Sequence, residues 1–278
     1  MLEKNKNLIG ISGKKGSGKN TFARIVNTIV SNPHFTDETV LKFIDRPHNN
    51  NFSYKYKAFA EKIKVMVSLL TGYSLEELED REIKESELGK EWWYWKLERE
   101  GGYSTKIIPF ENSTTKEGFK LVKPTVRSLL QNIGTDLFRN QIHNDVWVTA
   151  LFSDYNKGNA HNTIDTFDKW LITDVRFPNE MDAIQKRDGI VVRIERNFFN
   201  STYKDAEGNN IKLSVERGFM TGHEDEILGN EHPSETALDD RTDFDYVIQN
   251  DGSLLSLVVI ARHFIKQFKL LKNEENNL

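Results

Sequence analysis

The chain has 278 residues, 37% of them hydrophobic and 29% charged, enough for one large globular domain or two small ones with a sizeable core. A net charge of -4 and a pI near 6.0 exclude a chain-wide basic field of the kind that draws proteins to nucleic acid or anionic membranes. The lack of cysteine rules out disulfides and thiolate metal sites and fits a reducing compartment. The start MLEKNKNLIG has no apolar signal core and no run nears the length of a membrane span, so a cytoplasmic chain is expected.

The first element is the apolar run Leu8-Ile9-Gly10-Ile11, with strand character. It feeds GKKGSGKNT, Gly13 to Thr21, which carries the phosphate-loop pattern G-x-x-x-x-G-K. Phe22, Ile25, Val26, Ile29 and Val30 follow at helical spacing. Gly13, Gly16 and Gly18 let the backbone turn so that its N–H groups face an anion. The first helical turn adds unpaired N–H groups and the positive end of its dipole, and Lys19 adds a point charge for the outer phosphates. The next position, usually the Ser or Thr that meets magnesium, is Asn20, followed by Thr21. Either the Asn20 carbonyl or the Thr21 hydroxyl could serve, directly or through water. A ligand-free glycine turn is the plain alternative, and strand, loop, lysine and helix in this order weigh against it.

Val40 to Ile44 is read as a second strand, and Asp45 to Asn51 as a turn. Tyr54 to Ala60 is an extended segment running into a helix with Ile63, Met66, Val67 and Leu70 on one face. Ser74 caps a charged helix, LEELEDREIKESEL, with Glu77 completing a capping box. Residues 89–122 resist assignment. Their cluster Trp92-Trp93-Tyr94-Trp95 is read as packing an insertion onto the body or onto a second subunit. The alternative is a stacking platform for single-stranded nucleic acid, against which Glu91, Glu98 and Glu100 argue.

Pro124 opens a helix from Thr125 to about Asn140, with the apolar stripe Val126, Leu130, Ile133 and Leu137. Arg127, Gln131 and Thr135 form a polar row beside it, as on a helix bordering a cleft; an ordinary solvated face is the plainer account. Lys169 to Asp174 is a buried strand ending in an acid, placed where parallel sheets hold ligands. Val175 to Glu180 starts another helix, and Ile190 to Ile194 is the next strand. Asn197 to Glu235 is polar and expected to be irregular, a lid or surface excursion. His223 and His232 lie there without metal-ligand spacing. Tyr246-Val247-Ile248 is a strand, and the helix from Ser253 carries Leu254, Leu257, Val258, Ala261, Ile265 and Phe268. The tail after Leu271 is expected to fray.

Strands alternating with helices, with no internal repeat, give a three-layer α/β fold with a mainly parallel sheet and helices on both faces. One domain over 1–278 is expected, with insertions at about 82–122 on the substrate side and 197–235 as a lid. The chain has no N-K-x-D stretch to read guanine. A small-molecule kinase needs cations beyond its loop, and Arg127, Arg139 and Arg176 are the candidates.

The ordered set GKKGSGKNT, RSLLQNIGTDLFRNQIHNDVW, LITDVRFPNEMDAI and DYVIQNDGS resembles the bacteriophage deoxynucleoside monophosphate kinases, of the P-loop nucleoside-monophosphate kinase group. YKYKAFAEKIK is similar to the family's Phe-Ala segment. The resemblance implies ATP-dependent conversion of a deoxynucleoside 5′-monophosphate to its diphosphate, with Mg²⁺. It assigns the ATP phosphates to Gly13, Lys14, Gly16, Ser17, Gly18, Lys19, Asn20 and Thr21, with Asn20 and Thr21 at the metal. It places Asn250 near the adenine. Arg127, Gln131, Gly134, Thr135 and Trp147 would line the monophosphate site, Trp147 being equally a core residue. Asp174, Arg176 and Glu180 would stand between the substrates, with Lys19, Asp174 and Arg176 catalytic. Phage relatives often have Asp where Asn20 stands. The family further suggests a homodimer, in the host cytoplasm if the chain is phage-encoded, while the net acidic composition argues for no nucleic-acid or membrane partner. Two rivals stay open: a kinase acting on dephospho-coenzyme A, and a non-catalytic nucleotide or single-strand binding module.

Overall fold

The computed structural model describes residues 4–44, 52–97, 107–110, 118–155, 169–196, 200–204, 210–216, 219–220 and 233–271. The chain forms two compact units, one from residues 1–59 with 151–278 and the other from residues 60–150. In chain order the elements are β1 (Asn5–Ser12), α1 (Lys19–Ser31), α2 (Asp37–Phe43) and β2 (Lys55–Lys57). Next come α3 (Glu61–Thr71), α4 (Arg81–Glu85), β3 (Tyr94–Leu97), β4 (Ile107–Pro109), β5 (Phe119–Val122), α5 (Val126–Gln131) and α6 (Val146–Phe152). The last are β6 (Trp170–Val175), α7 (Pro178–Gln185), β7 (Gly189–Glu195), β8 (Asn200–Lys204), β9 (Asn210–Glu216), β10 (Phe219–Met220), α8 (Pro233–Thr236), β11 (Tyr246–Gln249) and α9 (Leu254–Gln267).

The first unit is built on a parallel five-stranded sheet in the order β11-β7-β1-β6-β2. β1 is central, and its alternation divides the two faces. Ile9 and Ile11 enter a core shared with Phe22, Ile25, Val26 and Ile29 of α1 and with Leu257, Val258, Ala261 and Phe264 of α9. Burying each such side chain contributes about 1.5–3 kcal/mol relative to exposure. Gly10 faces the other way, where a Cβ would stand 2.5 Å from Ile184 Cδ1, so its lack of a side chain lets α7 lie close. Helices therefore cover both faces, as the α/β reading expects. The edge strand β2 is moored by Asn27: its amide donates to Tyr54 O at 2.9 Å and its Oδ1 accepts Tyr54 N–H at 3.0 Å.

Residues 40–44, expected as a strand, are helical instead. Thr36 caps α2 by accepting Thr39 N–H, Asp37 and Glu38 occupy its first turn, and Lys42 its last. These signals outweigh the β-branched run, and Val40 and Ile44 are buried at a helical interval of four. The stretch 200–220, expected to be irregular, contains the antiparallel sheet β10-β9-β8, with Thr202 opposite Lys212. His223 and His232, Asp45 to Asn51 and the tail after Leu271 lie outside the described residues.

In the second unit, β4-β3-β5 is an antiparallel sheet, and the expected insertion at 82–122 lies wholly within this unit. Ser74 and Glu77 form their reciprocal cap, at 3.2 and 2.7 Å. The helix expected after it is interrupted. A single tight turn over Glu77–Glu79 ends at Asp80, whose carboxylate accepts the N–H groups of Glu82 and Ile83 and starts α4 afresh. Among the described residues no helix is long and apolar enough to cross a membrane.

Candidate active site

The register of the parallel sheet brings several strand ends to one level. Ser12 of β1 pairs with Val175 of β6 and with Arg193 of β7, so whatever follows these positions faces the same end of the sheet. The loop Gly13–Gly18 leaves β1 at this level. Gly13, Gly16 and Gly18 have φ of 149°, 77° and 96°, a region that L side chains rarely enter. Close packing adds to the demand for glycine. A Cβ on Gly13 would lie 2.4 Å from Ile194 O, and one on Gly18 would lie 2.4 Å from Asn250 Nδ2. Ser17 N–H closes the loop on Lys14 O at 3.1 Å, and α1 begins at Lys19 with Gly18 as its cap. The Ser17 hydroxyl is buried and, among the described residues, has no hydrogen-bond partner. Such a group is costly unless a ligand meets it.

Asn250 follows β11 and is buried. Its side-chain amide donates to Ser17 O at 2.9 Å, and its backbone N–H donates to Glu195 O at 2.7 Å. It thus acts on the loop backbone, pinning the turn that leads into α1.

Cations gather around this loop. Lys19 folds its ammonium onto the carbonyls of Gly13 and Lys14, at 2.6 and 2.7 Å. Burial, and next the Arg176 guanidinium, push its pKa down from 10.5 to about 8; Arg193 acts in the same direction, while Glu235 and Asp174 oppose it. Arg176 leaves the end of β6. Its backbone N–H and that of Phe177 donate to the buried Glu180 carboxylate at 2.8 and 3.1 Å, which fixes the turn into α7. Glu180 therefore shapes the arginine's backbone. Asp174 accepts Phe59 N–H at 2.8 Å through Oδ1. The oxygen donors of Asn20, Thr21 and Asp174 are of the hard type that Mg²⁺ prefers, usually as one or two carboxylates completed by phosphates and water. No cluster of three or more His, Cys, Asp or Glu with metal-site geometry occurs among the described residues.

Three residues of this neighbourhood escaped sequence reasoning. Arg193, 8% exposed, points its guanidinium at Ser12 Oγ (3.3 Å) and Asp239 (2.9 Å). Its signal was present: a lone arginine inside the apolar strand Ile190 to Ile194 must be buried for a reason. Glu235 and Asp239 stand in a polar stretch with no distinguishing spacing.

The residues expected around the monophosphate belong to the second unit. Thr125 and Ser128 form a capping box for α5. After Gln131 the helix widens into a π-helical run over Asn132–Ile142, closed by His143 N–H donating to Phe138 O at 3.0 Å. The widening changes the phase. Leu137, expected in the apolar stripe at a 3.6-residue period, is 50% exposed, whereas Gly134 and Arg139, five apart, are buried. π-Helical geometry is rare and mostly confined to single-turn bulges, which are frequent at functional sites. Arg127 Nε donates to Glu85 Oε1 at 2.8 Å. Gly134 accepts the approach of α3, since a Cβ there would lie 2.8 Å from Ile63 Cδ1. Trp147 is 3% exposed, donates its indole N–H to Gly134 O at 2.7 Å and packs on Phe138. It props the widened helix and presents no open face. Gln131 and Thr135 remain partly exposed on that helix.

The tryptophan cluster is packed as well. Trp95 is buried, Trp93 Nε1 donates to Leu88 O at 3.0 Å and its ring meets Phe110, with Lys123 over it at 4.4 Å. That arrangement offers little to a stacking platform.

Two comparisons bear on this geometry. Residues 104–232 match the family described as deoxynucleotide monophosphate kinase. The chain is also 24% identical over 203 residues to the deoxynucleoside-5′-monophosphate kinase of Escherichia phage T5, a match covering 64% of this chain and 72% of that protein.

Proposed function

We infer that this chain, a member of the phage deoxynucleoside monophosphate kinase family and a nucleoside-monophosphate kinase, transfers the terminal phosphoryl group of ATP in line to a deoxynucleoside 5′-monophosphate. The observation that carries the finer reading is the convergence at the sheet's carboxyl end. A glycine-shaped loop and a half-buried lysine share one electrostatic neighbourhood with Arg176 and Asp174, both of which act on the charge of Lys19.

The chemistry needs such a neighbourhood. The acceptor is a phosphate whose second pKa is about 6, so it is mostly ionised at neutral pH and needs no strong base. The barrier lies in bringing two polyanions together while charge spreads over the transferred group. Loop N–H groups and α1's first turn hold the phosphates, Lys19 exchanges its loop carbonyls for phosphate oxygens, and Arg176 meets the transferred group. Asn20, Thr21 and Asp174 would hold Mg²⁺, which supplies charge neutralisation across the phosphates when bound. Glu180 keeps Arg176 aimed, and Asn250 keeps the loop closed. Arg127, Gln131 and Thr135 are the groups on the other unit suited to an anionic nucleotide, two of them able to donate to a base or sugar edge.

The test is release of ADP from ATP with each of the four deoxynucleoside monophosphates offered singly, and with dephospho-coenzyme A as a fifth acceptor. Release dependent on one or more of the monophosphates supports the reading. Release with dephospho-coenzyme A alone overturns it.

A further inference from the structure

Three cations around the loop, Lys14, Arg176 and Arg193, are met by carboxylates from one short stretch. Glu235, on α8, accepts the backbone N–H of Lys15 at 3.1 Å through Oε2, and its Oε1 pairs with Arg176 Nη1. Ser234 Oγ lies 3.4 Å from the same guanidinium nitrogen. Asp239 bridges Lys14, at 3.0 Å, and Arg193, at 2.9 Å. The stretch is firmly placed, since Leu238 is buried and Arg241 ties it to Asp182 of α7 at 2.9 Å.

A loop amide and a guanidinium converging on one carboxylate form an anion site whose anion comes from the chain itself. The kinase reading gives that guanidinium to the transferred phosphoryl group and the loop N–H groups to the phosphates of ATP. One N–H cannot serve two acceptors at full strength, and two like charges cannot share the guanidinium without repulsion. We propose that Glu235 is an internal stand-in for the transferable phosphoryl group. It competes with the terminal phosphate of ATP, leaves the two phosphates of ADP alone, and so sets the protein's preference between triphosphate and diphosphate. The inference rests on the kinase reading and deepens it. After transfer the carboxylate retakes both donors, which keeps Arg176 neutralised whenever no phosphoryl group faces it.

The experiment is calorimetric titration of the full chain with ATP and with ADP, each with magnesium and without monophosphate, on wild type, Glu235→Gln and Glu235→Ala. Removing a charged competitor that holds two donors should tighten ATP on the order of tenfold, and ADP by less than about twofold. Alanine guards against a glutamine that still accepts from Lys15, and it must shift ATP in the same direction. Equal shifts for the two nucleotides, or weaker ATP binding in both variants, would overturn the proposal while leaving the kinase reading in place. A wild-type chain that binds neither nucleotide would remove both.

Discussion

The loop after β1 and the helix running from Val126 to Ile142, to which the proposed function gives the two phosphorylated substrates, are specified in different ways. In the loop the proposed contacts are made by the backbone itself. Its shape follows from three glycines at positive φ, from Asn250 pinning the Ser17 carbonyl and from strand ends set level by register. On the helix the proposed contacts are side chains, and their directions depend on phase, which the π-helical run at Asn132–Ile142 resets. A backbone device survives changes to most of its side chains but tolerates almost none at its glycines. A side-chain device should behave in the opposite way.

The sharpest way to break this contrast is Lys19→Ala, since this lysine, at the junction of loop and α1, is the side chain to which the reading gives the phosphate charge. Turnover should fall on the order of 10²-fold or more, as for other preorganised charge stabilisers. The thermal midpoint should hold or rise, because a cation held against burial is removed. Turnover within a few fold of wild type would leave the loop without its assigned chemistry. On the helix, Arg127→Ala should raise KM for the monophosphate about tenfold, the scale of a lost charge-assisted hydrogen bond, with KM for ATP unchanged. Its pairing with Glu85 is partly exposed, so stability should move by less than about 1 kcal/mol. Equal effects on the two substrates would leave Arg127 without a specific part in holding the monophosphate.

Much of the loop's half was readable because glycine spacing and short apolar strands are local signals. β1, α1, β6, β7, β11 and α9 all fall where periodicity placed them. The failures have physical causes. Val40 to Ile44 looked like a strand because β-branched and aromatic residues dominate it, and the cap at Thr36 with its acidic first turn went unused. Strand β9 carries an alternating Ile211, Leu213 and Val215, a period-2 pattern hidden by the segment's overall polarity. Leu137 was misplaced because no local rule announces a change from 3.6 to a wider turn. Arg193, Glu235 and Asp239 reach the loop only through tertiary contact, and of these only the buried strand arginine left a mark in the sequence.

Proton affinity offers a finer test of the loop. On the proposed function the charged form of Lys19 is the one that meets phosphate, and burial holds its pKa down at about 8. kcat/KM for ATP should therefore fall as pH rises through about 8, approaching tenfold per unit beyond it. Stability should move the other way. The folded pKa lies below the ordinary 10.5, so the unfolded chain holds this proton more tightly, and Lys19's contribution to stability rises with pH between about 8 and 10.5. Lys19→Ala should flatten the stability trend in that window, as read by denaturant unfolding at several pH values. An unaltered slope would show that the lysine's burial does not govern it.

The smallest effect comes from matched glycine substitutions, one in each region. Gly18→Ala places a side chain at φ 96°, with its Cβ 2.4 Å from the Asn250 amide. The conformation alone costs about 1–2 kcal/mol. Asn250 must also yield, which loosens the carbonyl of Ser17 and should weaken ATP binding along with stability. Gly134→Ala meets only the tip of Ile63, Cδ1 at 2.8 Å, with no positive φ to strain. A rotamer change at Ile63 relieves the contact, and a helical alanine recovers up to about 1 kcal/mol over glycine, so the net change should stay within about 1 kcal/mol. Chemical denaturation of both variants, with ATP titration of each, measures the pair. Should Gly134→Ala prove the more damaging, the helix would depend on close backbone approach as much as the loop does, and the distinction between the two devices would fail at the position that supports Trp147.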